Sequence, residues 1–158
     1  AELCSAETMR YAVSLMTTLN KGARDAMVKY RVHACTDVTG FGLLGHSCEM
    51  AEGSGVAIEY EVSQFRFIEE AIELAKEGLL PEGMYRNRAF AECRVDPGEA
   101  ELWQQDLLYD PQTSGGLLMA VDPENADALL RELEGKVPAA QRIGRAVEYD
   151  GGAYIRLR

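Results

Sequence analysis

The sequence predicts an α+β domain, a mixed or antiparallel sheet backed by helices. Three observations predict it. Two helical pieces open the chain, strands mix with helices through its middle, and a hairpin-like pair closes it. Helices set against one face of such a sheet let both bury their apolar sides. At 158 residues the chain can enclose a sizeable core, so residues 1–158 are expected as a single domain.

Each element has a local reason. Ser5 can cap a first helix, along which Met9, Val13, Met16 and Leu19 recur at helical spacing. Asn20-Lys21-Gly22 ends it, and Ala23 to Val28 reads as a shorter helical piece. Tyr30 to Cys35 is a short strand, and Leu43 to Ala51 a helix stopped by Glu52-Gly53-Ser54-Gly55. Val56, Ile58, Tyr60 and Val62 alternate with Ala57, Glu59 and Glu61, as in a half-buried strand. Phe67, Ile68, Ala71, Ile72 and Ala75 share one helical stripe, ended by Gly78. The pattern is lost from Leu79 to Val95, where Pro81, Gly83, Asn87 and three arginines suggest an ordered loop, or one that folds around a ligand. Asp96-Pro97 reads as N-cap and first residue of a helix through Trp103 to Leu108. Leu117 to Val121 is a strand. Asp122-Pro123 caps a helix that buries Ala126, Leu129, Leu130 and Leu133. Arg142 to Tyr149 and Ala153 to Leu157 form a hairpin about Asp150-Gly151-Gly152.

Charge and composition narrow the function. A net charge of −10 argues against nucleic acid held on a basic face, and against anionic membranes. No apolar run approaches the roughly 18 to 20 residues of a membrane span. The start, Ala1-Glu2-Leu3-Cys4-Ser5, has no secretory-signal pattern and does not open with Met, which suits a fragment or a processed chain. Four cysteines stand far apart with no Cys-x-x-Cys pair, beside only two histidines. That argues against structural zinc and suits reduced thiols in a cytoplasmic protein. Cys35 invites a nucleophile reading, but a packed thiol is the preferred one.

Two small-residue segments carry the chemistry. Thr36-Asp37-Val38-Thr39-Gly40-Phe41-Gly42 joins the short strand to a helix. A helix N-terminus offers unpaired N–H groups to an anion, and an Asp beside it can hold a hard cation such as Mg²⁺. The same residues also suit a capped helix with a tight glycine turn, and spacing alone leaves both readings open. The segment is neither a dinucleotide fingerprint nor a Walker A loop. Asp110-Pro111-Gln112-Thr113-Ser114-Gly115-Gly116 is the second segment, and it leads into a strand.

Taken together, Thr36 to His46 and Asp110 to Leu118 closely resemble the selenide, water dikinase (selenophosphate synthetase) family. Met16-Thr17-Thr18-Leu19-Asn20-Lys21 and Pro81-Glu82-Gly83-Met84-Tyr85-Arg86-Asn87 extend the likeness over nearly the whole chain. The resemblance is to the C-terminal half of that enzyme. It implies the fold of the C-terminal domain of aminoimidazole ribonucleotide synthetase. It also implies that the N-terminal domain, with its reactive selenocysteine or cysteine, nearby lysine and further aspartates, is missing here. The implied reaction turns selenide, ATP and water into selenophosphate, AMP and phosphate, with Mg²⁺ required. Asp37 matches the family's metal-binding aspartate. Thr36, Thr39 and Gly40 are the candidate cofactor-contacting positions, although shaping the turn is the first role expected of them. No catalytic residue is assigned to this chain. Thr113 to Gly116 border the same cleft or form a tight entry to a buried strand. His46 is expected to pack within its helix, and Arg86 and Arg88 to be solvated rather than phosphate-bound. The full enzyme is expected as a homodimer and the fragment as a monomer. The alternatives are another related ATP-using synthetase or kinase, or a non-catalytic interaction module.

Overall fold

A computed structural model describes residues 3–158; Ala1 and Glu2, part of the chain start read above, lie outside the described residues. Among the described residues seven α-helices surround two sheets. Helices α1 (Ala6–Thr17) and α2 (Lys21–Met27) lead into strand β1 (Val32–Asp37). Helix α3 (Gly42–Ser54), strand β2 (Val56–Tyr60) and helices α4 (Glu69–Lys76) and α5 (Glu82–Ala91) follow. Then come β3 (Val95–Asp96), α6 (Leu102–Tyr109), β4 (Leu117–Val121), α7 (Pro123–Leu133), β5 (Gly144–Glu148) and β6 (Ile155–Leu157). This is the α+β arrangement the sequence predicts.

The two sheets organise two cores. β1 and β4 form an antiparallel ribbon, with Asp37 opposite Leu117. Beside it, Ala23 and Ala26 of α2 pack on Leu129 and Leu133 of α7. The second sheet runs β3-β6-β2-β5. Its core joins Leu44, Cys48 and Ala51 of α3 to Ile58 and Tyr60 of β2, Met84 of α5, Leu108 of α6 and Ile155 and Leu157 of β6. Each fully buried Leu or Ile side chain there contributes about 1.5–3 kcal/mol by leaving water. The buried polar pair in this core is satisfied. Ser47 donates to the Leu43 carbonyl at 2.7 Å, so the Tyr60 phenol 2.6 Å away donates to Ser47.

Several expectations are corrected. Thr36 and Asp37 belong to β1, not to the turn after it. The β1 side chains alternate, which places His33, Cys35 and Asp37 on the exposed side. Cys35 is therefore not packed. Helix α1 forms under its Ser5 cap, but none of its residues is buried, and Met9, Val13 and Met16 face outward. The stretch read as a loop holds α5, whose inner face carries Asn87 between Met84 and Ala91. A polar residue on the buried face had broken the apolar period. Asp96 ends a strand instead of capping a helix. The α6 cap is Glu101, in a reciprocal box with Gln104. The closing strands do not pair with each other. β5 lies antiparallel on one edge of β2 and β6 parallel on the other, so β2 splits the expected hairpin.

Candidate functional site

The two small-residue segments meet. Val38 N–H donates to the Gly116 carbonyl at 2.9 Å, and Gln112 N–H to the Thr39 carbonyl at 3.0 Å. Gly115 is pressed so closely on this strand end that a Cβ would stand 2.2 Å from the Val38 carbonyl oxygen. Gly42 has φ +69°, and a Cβ there would stand 2.7 Å from the Tyr109 carbonyl oxygen. Only glycine suits a position that combines a left-handed backbone with so close an approach. Two side-chain amides tie the other two motifs in. Asn20 Nδ2 donates to the Gly115 carbonyl at 3.0 Å. Asn87 Nδ2 donates to both the Gly40 and Tyr109 carbonyls, each at 2.9 Å.

Asp37 stands between two open cavities. A cleft of about 260 Å³ is lined by Thr18, Leu19, Thr39, Thr113 and Ser114 beside Asp37. A shallower one of about 610 Å³ is lined by Lys21, Arg24, Cys35 and Thr36, again beside Asp37. The structure thus brings Asp37, Thr39, Thr113 and Ser114 to one cleft. Thr36 opens on the neighbouring cavity, where its hydroxyl sits 3.2 Å from the Asp37 carbonyl. Gly40 lines neither; its carbonyl is taken by Asn87. The start of α3 does not serve as an open anion site. Gly42 is buried against the Tyr109 and Asp110 carbonyls, and no residue of that first turn lines either cavity.

The donor set tests the fit to Mg²⁺. Among the described residues Asp37 is the only carboxylate lining either cavity, and Thr39, Thr113 and Ser114 line the smaller one with it. Among the described residues no three His, Cys, Asp or Glu side chains converge as a metal centre. Mg²⁺ is held by one or two carboxylates with waters and phosphate oxygens. Asp37 fits as one shared ligand of such an ion, not as a centre complete in itself.

Other charged groups are committed elsewhere. Arg86 pairs with Glu82 at 2.7 Å on the exposed side of α5, as solvation predicts. Arg88 is not solvated: it pairs with Asp106, which is 4% exposed, and lies 5.5 Å over the Tyr109 ring. Burial raises the Asp106 carboxyl above its usual range, against the pull of Arg88. Partial desolvation against its neighbours and then the Asp37 carboxylate push the Cys35 thiol up, which disfavours the reactive thiolate. His46 is more than a packing residue, for its ring bonds Thr39 and Glu49. The Thr39/His46/Glu49 spacing, at i, i+7 and i+10, was the available signal for it. Asn87 was also missed as a site residue, since a lone buried Asn has no periodic signature.

The fold and the site together define a class. Residues 3–156 match the family described as AIR synthase related protein, C-terminal domain, and the chain belongs to that family. It is similar to the selenide, water dikinase of Caldanaerobacter subterraneus subsp. tengcongensis, 45% identical over 98% of this chain and 46% of the relative. The selenide, water dikinase of Treponema denticola is 46% identical over 84% of this chain and 38% of that protein. Selenide, water dikinase 2 of Peptoclostridium acidaminophilum is 43% identical over 98% and 45% respectively. The chain thus spans less than half the length of these curated relatives. No helix among the described residues is long and apolar enough to cross a membrane.

Proposed function

We propose that this chain is the C-terminal part of an ATP-dependent selenophosphate synthetase of the cytoplasm, forming one domain. The carrying observation is the convergence of three of the four resembling motifs on one cleft beside Asp37. Asn20, Thr39 and Thr113 to Gly115, far apart in sequence, line a single cleft, and the buried Asn87 of the fourth motif braces it through the Gly40 carbonyl. In this reading selenide, ATP and water give selenophosphate, AMP and phosphate, and the missing carboxylates and most of the nucleotide site come from a preceding domain. A bound Mg²⁺ would neutralise phosphate charge and align the transferred group. Within this chain Asp37 supplies one anionic ligand, Thr39 and Thr113 supply hydroxyl oxygens, and the glycines let the two loops close on each other. Thr36, within β1, opens on the neighbouring cavity, and Gly40 shapes the turn through its bond from Asn87. The uncovered apolar side of α1 continues into the cleft through Met16 and Leu19, which suits a covering domain.

The test joins this chain in frame to the remaining part of the Caldanaerobacter relative. The isolated chain should form no AMP from ATP, Mg²⁺ and selenide above background. The hybrid should form AMP in a selenide-dependent way. Selenide-dependent AMP from the chain alone, or a folded hybrid without it, contradicts the reading.

A further inference from the structure

One hydroxyl in the cleft has its direction fixed from behind. Thr39 Oγ1 lies 2.9 Å from His46 Nε2, and His46 Nδ1 lies 3.1 Å from a Glu49 carboxylate oxygen. A carboxylate only accepts, so Nδ1 carries the hydrogen and donates to Glu49. In the neutral ring Nε2 is then an acceptor, and Thr39 donates to it. The single Thr39 hydroxyl proton is thereby committed to His46, and the oxygen keeps lone pairs to accept with in the cleft that Thr39 shares with Asp37. The ring is held in place. His46 is 12% exposed at its side chain, and Phe41 packs on it at 5.5 Å between ring centres. Phe41 is in turn stacked on Phe90 at 5.7 Å. Gly45 makes room, for a Cβ there would stand 2.8 Å from the Phe41 Cβ.

We propose that His46, oriented by Glu49, is a positioning residue that presents Thr39 as a hydrogen-bond and cation acceptor beside Asp37. The ligand class is a divalent cation or a water bound to one. This rests on the metal role proposed for Asp37, but the ring geometry is tested without it. Long-range ¹H–¹⁵N spectra of the 158-residue chain read the His46 ring directly. The Nδ1–H tautomer is expected, with Nε2 shifted by Thr39→Val and unmoved by Thr39→Ser. An Nε2–H tautomer, or no response to Thr39→Val, overturns the hold of His46 on Thr39. Mn²⁺ then serves as the probe, read by broadening of the Asp37 and Thr39 amide signals. His46→Phe keeps the packing on Phe41 and removes the nitrogen. It should weaken Mn²⁺ binding roughly fivefold, the scale of one hydrogen bond. Thr39→Val should weaken it similarly, and the double variant no further, because the two act as one unit. Independent, additive losses overturn the proposal. Wild-type chain that shows no broadening at Asp37 up to millimolar Mn²⁺ overturns the cation role, whichever tautomer the ring adopts.

Discussion

The Asn87 side-chain nitrogen lies 2.9 Å from the Gly40 carbonyl oxygen, across 47 residues of sequence. Its second hydrogen goes to Tyr109, so one amide ties the first small-residue segment to the end of α6, just before the second. Asn87 is 7% exposed, so water does not readily replace it. Asn87→Ala leaves two carbonyls without that donor and should cost about 2–3 kcal/mol in urea unfolding. Asn87→Asp should cost more, because an acceptor then faces two acceptors. A loss below 0.5 kcal/mol for both would show that the loops hold together without the clamp.

The glycines of the two segments should separate sharply on substitution. Gly115→Ala drives a Cβ into the Val38 carbonyl, and Gly42→Ala adds a left-handed backbone penalty to contacts with Tyr109 and Asp110. Each should destabilise by about 1–3 kcal/mol. Nothing lies within 4 Å of a Cβ built on Gly40, and its φ is not left-handed, so Gly40→Ala should stay within about 0.5 kcal/mol. Thermal melts of the three variants check the order. Equal losses at all three would remove the close-approach argument.

Much of this frame was legible where local chemistry and periodicity agree. The Asp122-Pro123 start of α7 is one case, with Asp122 accepting from Glu124 N–H at 3.2 Å and Leu129 and Leu133 buried as read. The extent of α5 was not legible, because its buried face needs Asn87 and Arg88 for tertiary partners that no local pattern announces. Strand order was hidden for a related reason. The turn at Asp150 exists, with Gly152 N–H on the Asp150 carboxylate at 3.0 Å, but a sequence cannot show that β2 lies between the flanking strands. At the site, the motifs gave Asp37 its place; the partners of Thr39 and the cavity shared with Cys35 came from packing.

Cys35 shows what that difference changes. A packed thiol would make Cys35→Ser costly by about 1–3 kcal/mol through an unsatisfied hydroxyl. Because Cys35 is exposed, the change should cost under about 0.5 kcal/mol. Iodoacetamide followed by mass mapping should modify Cys35 and Cys93 in the folded chain and Cys48 only after unfolding, since Cys48 is buried with its thiol pushed up to about 11. Alkylation of Cys48 at the rate of Cys93 would mean that α3 does not enclose it.

Acid stability should report on Glu132. Its carboxylate receives hydrogen bonds from Lys136, Lys29 and Tyr30, which hold its pKa at about 2, below the ordinary 4.5. A depressed carboxyl pKa stabilises the fold above 4.5, and that contribution is lost as pH falls toward 2. Glu132→Gln should therefore lower the melting temperature at pH 7 and flatten its decline between pH 4.5 and 2. An unchanged acid limb would show that the cluster linking α7 to the segment before β1 adds nothing.

Asp37 is the most exposed test of the function. It ends β1 on the solvent side, and among the described residues no side chain bonds its carboxylate. Asp37→Asn keeps the shape, so the unfolding free energy of the chain should change by less than about 0.5 kcal/mol. In the hybrid with the Caldanaerobacter relative the same change removes an anionic ligand for Mg²⁺. Turnover at limiting Mg²⁺ should fall by roughly tenfold or more, and part of the loss should return at high Mg²⁺. AMP formation is the readout, with Thr36→Val as a control on the neighbouring cavity that should leave the Mg²⁺ dependence unchanged. Wild-type turnover at limiting Mg²⁺ would end the metal assignment. A fall that no Mg²⁺ concentration relieves, together with a lower melting temperature, would instead make Asp37 a structural end to β1.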